Sequence, residues 1–190
     1  VTEEFKKGTA GRFAPGLPAK GDGQMLFLLN GLAKLKDDGQ MAIIQNGSSL
    51  FNGDAGSGPS EIRRYLIEND WLDAIVQLPN NAFYNTGIAT YIWLVMKNKP
   101  AAHRGKVQLI DASACCSARR KNIGSKNIDI TTACRDLIIK TYGAYADGKY
   151  TDVDENGNAI LAKSDRTQQL MSQKYEENDR ETIVRTRGIQ

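Results

Sequence analysis

The sequence predicts an α/β fold with a mainly parallel sheet, and two observations support this. Four short segments are apolar along nearly their whole length, as expected of strands buried on both faces: 41–46, 72–79, 88–97 and 106–112. Segments with apolar residues at helical spacing lie before, between and after them. Strands that alternate with helices are typical of a layered domain in which helices cover a sheet.

The first two elements follow an entry segment, residues 1–22, which is rich in Gly, Pro, Lys and Arg and predicts a loop. From Gln24 to Lys36, apolar residues recur at helical spacing, and Asp37-Asp38-Gly39 ends the pattern. MAIIQN, residues 41–46, then predicts the first buried strand.

A second amphipathic helix is predicted over residues 61–70, with Pro59 and Ser60 at its start. The second, third and fourth strands follow it. The connection between the third and the fourth strand is too short for a helical crossover, so we expect these two strands to be antiparallel neighbours.

A third helix is predicted over residues 128–142, and the character of the chain changes after about Gly143. Residues 143–164 predict a β-hairpin or a loop, and residues 165–190 predict a polar helix followed by an extended tail. The predicted organisation is an entry segment (1–22), a central α/β region (23–142), and a hairpin or loop with a polar helical tail (143–190).

Composition excludes several classes of protein. Apolar residues make up 41% of the 190 residues, which excludes wholesale disorder. No apolar run approaches the roughly 18 residues of a membrane span, and the N-terminus lacks the layout of a signal peptide. The net charge of +3 does not by itself identify a nucleic-acid-binding protein. We expect a cytoplasmic protein.

The cysteines and the single histidine favour no metal site. Cys115, Cys116 and Cys134 form no CxxC pattern, so we expect reduced thiols and no structural zinc. His103 lies in the loop-like stretch KPAAHRGK and is expected to be solvated. With one histidine, a Ser/His/Asp or Cys/His nucleophile is not expected.

Two segments imitate ligand-binding loops without completing the pattern. Residues 53–60, GDAGSGPS, have GxxGxG spacing instead of that of a phosphate-binding loop, and we expect a mobile loop. Residues 152–163 resemble a calcium-binding EF-hand loop, but Lys163 occupies the position of the bidentate glutamate. A hairpin turn at Asn156-Gly157 is the favoured alternative.

Two further segments could contact a ligand. Residues 117–126, SARRKNIGSK, carry four cations and predict either a solvated loop or a phosphate contact. In residues 78–95, Phe83 and Tyr84 occupy the turn after a strand, at the sheet edge where ligands bind in α/β folds. The alternative is that these aromatic side chains plug the edge of the sheet.

Three segments resemble a known family, in the expected order. They are GRFAPGLPAKGDGQMLFLLNGLAKLKDDGQMAIIQNGSSLF, IRRYLIENDWLDAIVQLPNNAFYNTGIATYIWLVMKNK and GKVQLIDAS. Together they resemble the adenine-specific DNA methyltransferase domain of the modification subunit of type I restriction–modification systems. The resemblance runs from about Gly11 to Tyr142, and its most specific part is the LP-x3-FY-x-TGI block.

The resemblance implies a partial class I, Rossmann-like methyltransferase sheet: the second half, with an antiparallel terminal hairpin. Family members also have a glycine-rich loop for S-adenosylmethionine and an Asn-Pro-Pro-aromatic tetrad whose acceptors activate the adenine amino group. This sequence contains neither, so we expect these elements before Val1 and interpret the chain as a fragment.

The resemblance also implies roles for individual residues. Phe83 matches the aromatic residue that stacks on the flipped target adenine, and Tyr84 is the alternative if the register differs by one. Phe27 matches an apolar position that lines the adenine pocket of the cofactor, although ordinary core packing is the alternative.

DNA contacts are expected from cations in two places. Lys20, in GLPAKGD, is the candidate phosphate contact near the cofactor. Arg119, Arg120 and Lys121 are the candidates in the basic run.

The function implied is part of a DNA adenine N6-methyltransferase that uses S-adenosylmethionine in a type I restriction system. Its expected partners are DNA, the specificity subunit and the restriction subunit. The isolated chain is expected to be inactive and to self-associate. The alternative is a non-catalytic module that binds DNA or a partner subunit.

Overall fold

The computed structural model describes residues 2–18 and 21–168. This part of the chain contains five α-helices and eight strands. The helices are α1 (Thr2–Phe5), α2 (Gln24–Lys34), α3 (Ser48–Phe51), α4 (Gly58–Glu68) and α5 (Thr132–Ala144), with a 3-10 turn at Gly8–Ala10. The strands are β1 (Gln40–Asn46), β2 (Leu72–Gln77), β3 (Thr90–Met96), β4 (Lys106–Asp111), β5 (Ser117–Ile123), β6 (Lys126–Asp129), β7 (Gly148–Val153) and β8 (Ala159–Gln168).

Six of these strands form one sheet in the order β1-β3-β2-β4-β8-β7, and β5 and β6 form a separate hairpin. Within the described six-stranded sheet, β2 and β4 are parallel, and the other four neighbouring pairs are antiparallel. The α/β class is as predicted, but the expectation of a mainly parallel sheet is wrong for these strands. The reason is that β3 turns back and inserts between β1 and β2.

The predicted pairing of the third and fourth strands is also wrong. Strands β3 and β4 run in opposite directions, as expected, but β2 lies between them and pairs with both. The short connection at residues 97–105 therefore passes across the end of β2. It spans two strand spacings, roughly 10 Å, which needs no helix.

Each face of the sheet has its own apolar core. Helices α2 and α4 cover one face because their apolar residues recur every three or four positions, and the buried ones include Met25, Leu29, Ile62 and Leu66. Helix α5 covers the other face through Cys134 and Leu137. The Thr131 hydroxyl caps α5, because it accepts a hydrogen bond from the Cys134 backbone at 3.4 Å.

The region after Gly143 contains the predicted hairpin, β7–β8, which joins the sheet on β4. Gly157 adopts φ +80° in its turn, a conformation that favours glycine. The predicted helix from residue 165 is wrong for residues 165–168, which extend β8. The rest of that predicted helix and tail lies outside the described residues.

The basic run at residues 117–126 is predicted to be either a solvated loop or a phosphate contact. In the structure it forms the β5–β6 hairpin. Strand β6 ends at Asp129, so α5 begins at Thr132 instead of at residue 128.

Candidate functional site

The candidate site lies where three strands end. Strands β1 and β2 are both antiparallel to β3, and β4 is parallel to β2. Asn46, Gln77 and Asp111 therefore end their strands at one edge, which we call the carboxyl edge. Ligands of open α/β sheets bind outside this edge.

The loop at residues 78–89 links β2 to β3 at the carboxyl edge and carries both predicted aromatic residues. The Leu78 amide donates to the Thr90 carbonyl at 2.9 Å, which closes the base of the loop. Phe83 is half-buried and packs against the core on the α5 face, whereas Tyr84 is 62% exposed. Phe83 thus combines a partly exposed ring with a packing role, and its neighbour carries the more accessible ring.

The β5–β6 hairpin packs directly on this loop. The Ser125 amide donates to the Tyr84 carbonyl at 3.0 Å. Gly124 has φ +57°, and a Cβ atom there would lie 2.6 Å from the Tyr84 carbonyl oxygen, so a larger residue would not fit without a shift. This contact places the basic hairpin beside the aromatic loop.

The cations of this hairpin differ in how they are held. Arg119 forms an ion pair with Asp129, and its Nε donates to the Lys121 carbonyl at 3.2 Å. The hydrogen bond from Arg119 holds the pKa of the Asp129 carboxyl below its ordinary value. Arg120 and Lys121 are exposed, and neither side chain has an ion-pair partner within residues 2–18 and 21–168.

Helix α2 begins beside the end of β1. The Gln24 side chain accepts a hydrogen bond from the Asn46 amide at 3.1 Å and donates to the Ser48 hydroxyl at 3.3 Å. One turn further along α2, Phe27 is 72% exposed. Core packing, the alternative for Phe27, is therefore wrong, and its role toward the cofactor stays a prediction. Lys20 lies outside the described residues.

Sequence reasoning missed Tyr91 and Asp111 at the carboxyl edge. The pKa of Asp111 lies below its ordinary value: burial acts to raise it, but hydrogen bonds from Ser113 and the charge of Lys163 outweigh burial. Burial and the charge of Asp111 together raise the pKa of Tyr91. Only the strand register brings these residues together, and the sequence alone does not give that register.

One glycine of residues 53–60, Gly58, allows two backbone segments to pack closely. Gly58 is the first residue of α4, and a Cβ atom there would lie 1.8 Å from the Leu17 carbonyl oxygen. The end of this loop is therefore packed against residue 17, whereas residues 53–56 are exposed, and the mobile loop stays a prediction for them. Position 58 needs a glycine for this close approach, so a bound phosphate is not required to explain it.

The EF-hand-like segment forms the predicted hairpin turn. One oxygen of the Asp154 carboxylate accepts from the Asn156 and Asn158 amides at 2.8 Å each. The other accepts from Asn158 Nδ2 at 3.0 Å and from the Ser117 hydroxyl. These bonds hold the pKa of Asp154 far below its ordinary value, the bond from Ser117 most of all. Its oxygens are therefore engaged by the turn and by the first residue of β5.

The expectation that His103 is solvated is wrong. Its Nδ1 lies 2.8 Å from Oδ1 of Asp73, a residue with no exposed surface, and its ring stacks on Tyr145 with centroids 3.5 Å apart. The Tyr142 hydroxyl donates to the other Asp73 oxygen at 2.6 Å. This cluster lies at the opposite edge of the sheet, where β2 and β4 begin.

All three cysteines are free thiols, as predicted. Burial raises the pKa of Cys115 to about 12, so this thiol is un-ionised at neutral pH. None of the helices that the structure describes combines the length and apolar character needed to cross a bilayer.

Comparison with known proteins identifies the family. Residues 2–183 match the family model described as N-6 DNA Methylase. The chain is 32% identical over 114 residues to the type I restriction enzyme MjaIX methylase subunit of Methanocaldococcus jannaschii, covering 58% of this chain and 19% of that protein. It thus spans about a fifth of the length of this relative.

Solved structures show the same fold. The type I restriction–modification methyltransferase subunit from Streptococcus thermophilus superposes with a TM-score of 0.63 at 30% identity, over 80% of this chain and 28% of that chain. The EcoKI M protein superposes with a TM-score of 0.52 at 15% identity, over 86% of this chain and 40% of that chain, and supports the fold alone. The predicted partial class I methyltransferase sheet is confirmed. With a family model matched over nearly its whole length, the chain belongs to the N-6 DNA methylase family.

Proposed function

We propose that this chain is the part of a DNA adenine N6-methyltransferase that receives the target adenine, within the modification subunit of a type I restriction system. The observation that carries the proposal is the aromatic loop at residues 78–89, which lies at the carboxyl edge with a basic hairpin packed on it. An aromatic face and cations side by side suit an extruded base and its flanking phosphates.

The residues of this chain would act by binding and orienting DNA. The amino group of adenine lies inside the duplex, so the base must be extruded before it can react. Phe83 would stack on the extruded base, with Tyr84 as the alternative. Arg120 and Lys121 would contact phosphates, and Arg119 less so because Asp129 already neutralises it.

S-adenosylmethionine would supply the methyl group, but the residues of this chain do not fit a complete site for it. Phe27 offers an exposed ring at the start of α2. Gly58 is taken up by packing against Leu17, and the sequence has no Pro-Pro pair. We therefore expect the isolated chain to transfer no methyl group and to bind S-adenosylmethionine weakly. A micromolar dissociation constant from calorimetry on this chain alone would overturn that expectation.

The decisive experiment replaces the two aromatic residues in the complete enzyme. Phe83→Ala should lower DNA methylation by about 5- to 150-fold, which corresponds to the roughly 1–3 kcal/mol of one stacking contact. Phe83→Trp should retain much of the activity, and cofactor binding should change little. Tyr84→Ala is the matched control one residue away.

Phe83 also packs against the core, so thermal denaturation must accompany the assay. If Tyr84→Ala is the damaging change, the predicted roles of the two residues are exchanged. If both variants methylate DNA as the wild type does, the loop does not receive the base and the proposal is wrong.

Partners of the complete protein are part of this proposal: DNA, a specificity subunit and a restriction subunit.

The non-catalytic alternative is favoured by one observation. Strand β1 ends the described sheet, and Ile44 on it is 52% exposed, so this side offers a surface for another chain. Light scattering of the isolated chain at tens of micromolar tests the predicted self-association, and a clean monomer would count against a missing half of the sheet.

A further inference from the structure

A row of polar side chains crosses the sheet at the carboxyl edge. On β1 the row lies one residue before the end of the strand. Gln45 pairs with Tyr91, Tyr91 with Gln77, Gln77 with Asp111, and Asp111 with Lys163. Residues directly opposite one another on neighbouring strands project from the same face. These five residues, which we call the polar row, therefore lie side by side on five consecutive strands.

The next row of the same face is apolar. It contains Ile43, Trp93, Ile75 and Leu109, which belong to the core beneath α2 and α4. Side chains two positions apart on a strand share a face, so the polar row continues the core surface toward the carboxyl edge. The change from apolar to polar thus occurs at the ligand-binding edge.

Two members of the polar row carry buried groups that lack partners. Gln45 is 3% exposed, and neither its amide oxygen nor its amide nitrogen has a hydrogen-bond partner within the described part of the chain. The amide oxygen of Gln77 is also buried and has no hydrogen-bond partner within the described part of the chain. Buried polar groups are nearly always paired, so unpaired amides at a ligand-binding edge point to a partner from outside the chain.

The chemistry of the polar row suits the edge of a nucleobase. A carboxamide presents a donor and an acceptor side by side, as a base edge does, and glutamine pairs with adenine in this way. Asp111 is ionised at neutral pH, as the direction of its pKa shift favours, so it repels phosphate and accepts from an amino group. Tyr91 is protonated at neutral pH, as the direction of its pKa shift favours, so its hydroxyl can donate.

The position of the polar row also matches the proposed base-binding loop. That loop leaves β2 directly after Gln77 and enters β3 directly before Thr90 and Tyr91. The ring of Tyr91 lies against the backbone after β1, because a Cβ atom on Gly47 would be 3.3 Å from its Cε2. Gln77 and Tyr91 are both half-buried, and a base that stacks on Phe83, which packs on the α5 face, would contact them across the carboxyl edge.

We propose that the polar row recognises the hydrogen-bonding edge of the extruded base, with Gln77 and Tyr91 as contact residues and Asp111 as acceptor for its amino group. Gln45, which is enclosed beside Tyr91, is a positioning residue. The inference rests on the proposed function and adds to it the residues that distinguish adenine from other bases.

The test uses the complete enzyme and duplexes in which the target position faces an abasic site, so that the base is easily extruded. One duplex carries adenine there, and the other carries hypoxanthine, in which a carbonyl oxygen replaces the amino group. Wild-type enzyme should bind the adenine duplex more tightly. Gln77→Met should reduce this preference by about 5- to 150-fold, the range for loss of a bidentate contact of roughly 1–3 kcal/mol.

Two further variants keep the result interpretable if Gln77→Met misfolds. Tyr91→Phe removes one hydroxyl and should also reduce the preference for adenine. Gln45→Met should leave the melting temperature unchanged or raised, since it removes an unpaired buried amide, while the preference falls. Gln40→Met, on the exposed start of β1, is the matched control and should change neither quantity.

The outcomes separate the two proposals. If the wild type methylates adenine but Gln77→Met and Tyr91→Phe keep its full preference for adenine, the polar row does not read the base and the inference is overturned. The same conclusion follows if Gln45→Met lowers the melting temperature with no effect on the preference, as a structural role requires. A wild-type enzyme that forms no N6-methyladenine instead overturns the proposed function, and the inference with it.

Discussion

The two edges of the sheet differ in how their buried carboxylates and amides are paired. At the amino edge, where β2 and β4 begin, Asp73 is fully buried and is hydrogen-bonded to both His103 and Tyr142. At the carboxyl edge, Gln45 and Gln77 have buried amide atoms without partners in the described chain. The buried charges of the amino edge are satisfied internally, although the Tyr145 hydroxyl there lacks a partner in the described chain, whereas the amides of the carboxyl edge are left unsatisfied.

The paired groups of the amino edge hold the connection from β3 to β4 in place. Lys99, whose side chain is 1% exposed, donates to Asp70 and to the Lys106 carbonyl at 2.7 Å each. Asp70 also accepts from the Gly105 amide at 2.8 Å. Internal pairing of this kind gives the buried charges a structural role. Unpaired groups at a ligand-binding edge need a different explanation.

The largest effect on stability is expected from Asp73→Ala at the amino edge. The change leaves the His103 ring and the Tyr142 hydroxyl without their shared acceptor, and breaking a buried polar pair costs about 3 kcal/mol. Chemical denaturation of the isolated chain measures this loss. Asp73→Asn retains an acceptor oxygen and should lose less. Equal stability of Asp73→Ala and wild type would remove the contrast between the edges.

A smaller effect is expected from Asp154→Ala in the β7–β8 turn, where a carboxylate is satisfied internally although the turn lies toward the carboxyl edge. The variant should melt several degrees lower at pH 7, since the Asn156, Asn158 and Ser117 donors lose their acceptor.

The pH dependence of this effect has a definite sign. The pKa of Asp154 is lowered in the folded protein, so its contribution is present above the unfolded value of about 3.9 and is lost as the pH falls toward the folded value. The difference in melting temperature between wild type and Asp154→Ala should therefore shrink below about pH 4. A difference that stays constant down to pH 2 would show that the lost interaction is not that of the ionised carboxylate.

The smallest effects come from a matched pair of Thr→Val changes. Thr141 is fully buried, and its hydroxyl donates to the Leu137 carbonyl at 2.7 Å, so Thr141→Val should cost about 1 kcal/mol. Thr90, at the carboxyl edge, is 7% exposed, and its hydroxyl has no partner in the described chain. Thr90→Val should be neutral or slightly stabilising. Denaturation of both variants under one condition tests the contrast, which an equal loss would contradict.

The sequence predicted the elements with local signals and missed those that depend on distant partners. The apolar run LDAIVQLP gave β2, and Asn156-Gly157 gave the β7–β8 turn. The β5–β6 hairpin was missed because its strands are mostly exposed and carry no apolar alternation. Its position beside Tyr84 follows from one backbone contact, which no sequence pattern signals.

The candidate site was predicted in the same uneven way. Phe83 and Tyr84 are predicted because the LP-x3-FY-x-TGI block is local, and their roles stay predictions. The polar row was missed because its members lie on five strands and meet only through register. His103 was misassigned because its partner Asp73 lies 30 residues earlier, in a run that otherwise predicts a buried apolar strand.

The insertion of β3 between β1 and β2 has a consequence for the order of events during synthesis. Strands β1 and β2 leave the ribosome first, yet both hydrogen-bond to β3, which is made after them. At about 5–20 residues per second, the 50 residues between Asn46 and Met96 take seconds to appear. For that time β1 lacks its β3 partner, and a nascent chain that stalls before residue 90 leaves this side of β1 unpaired, a condition that favours aggregation.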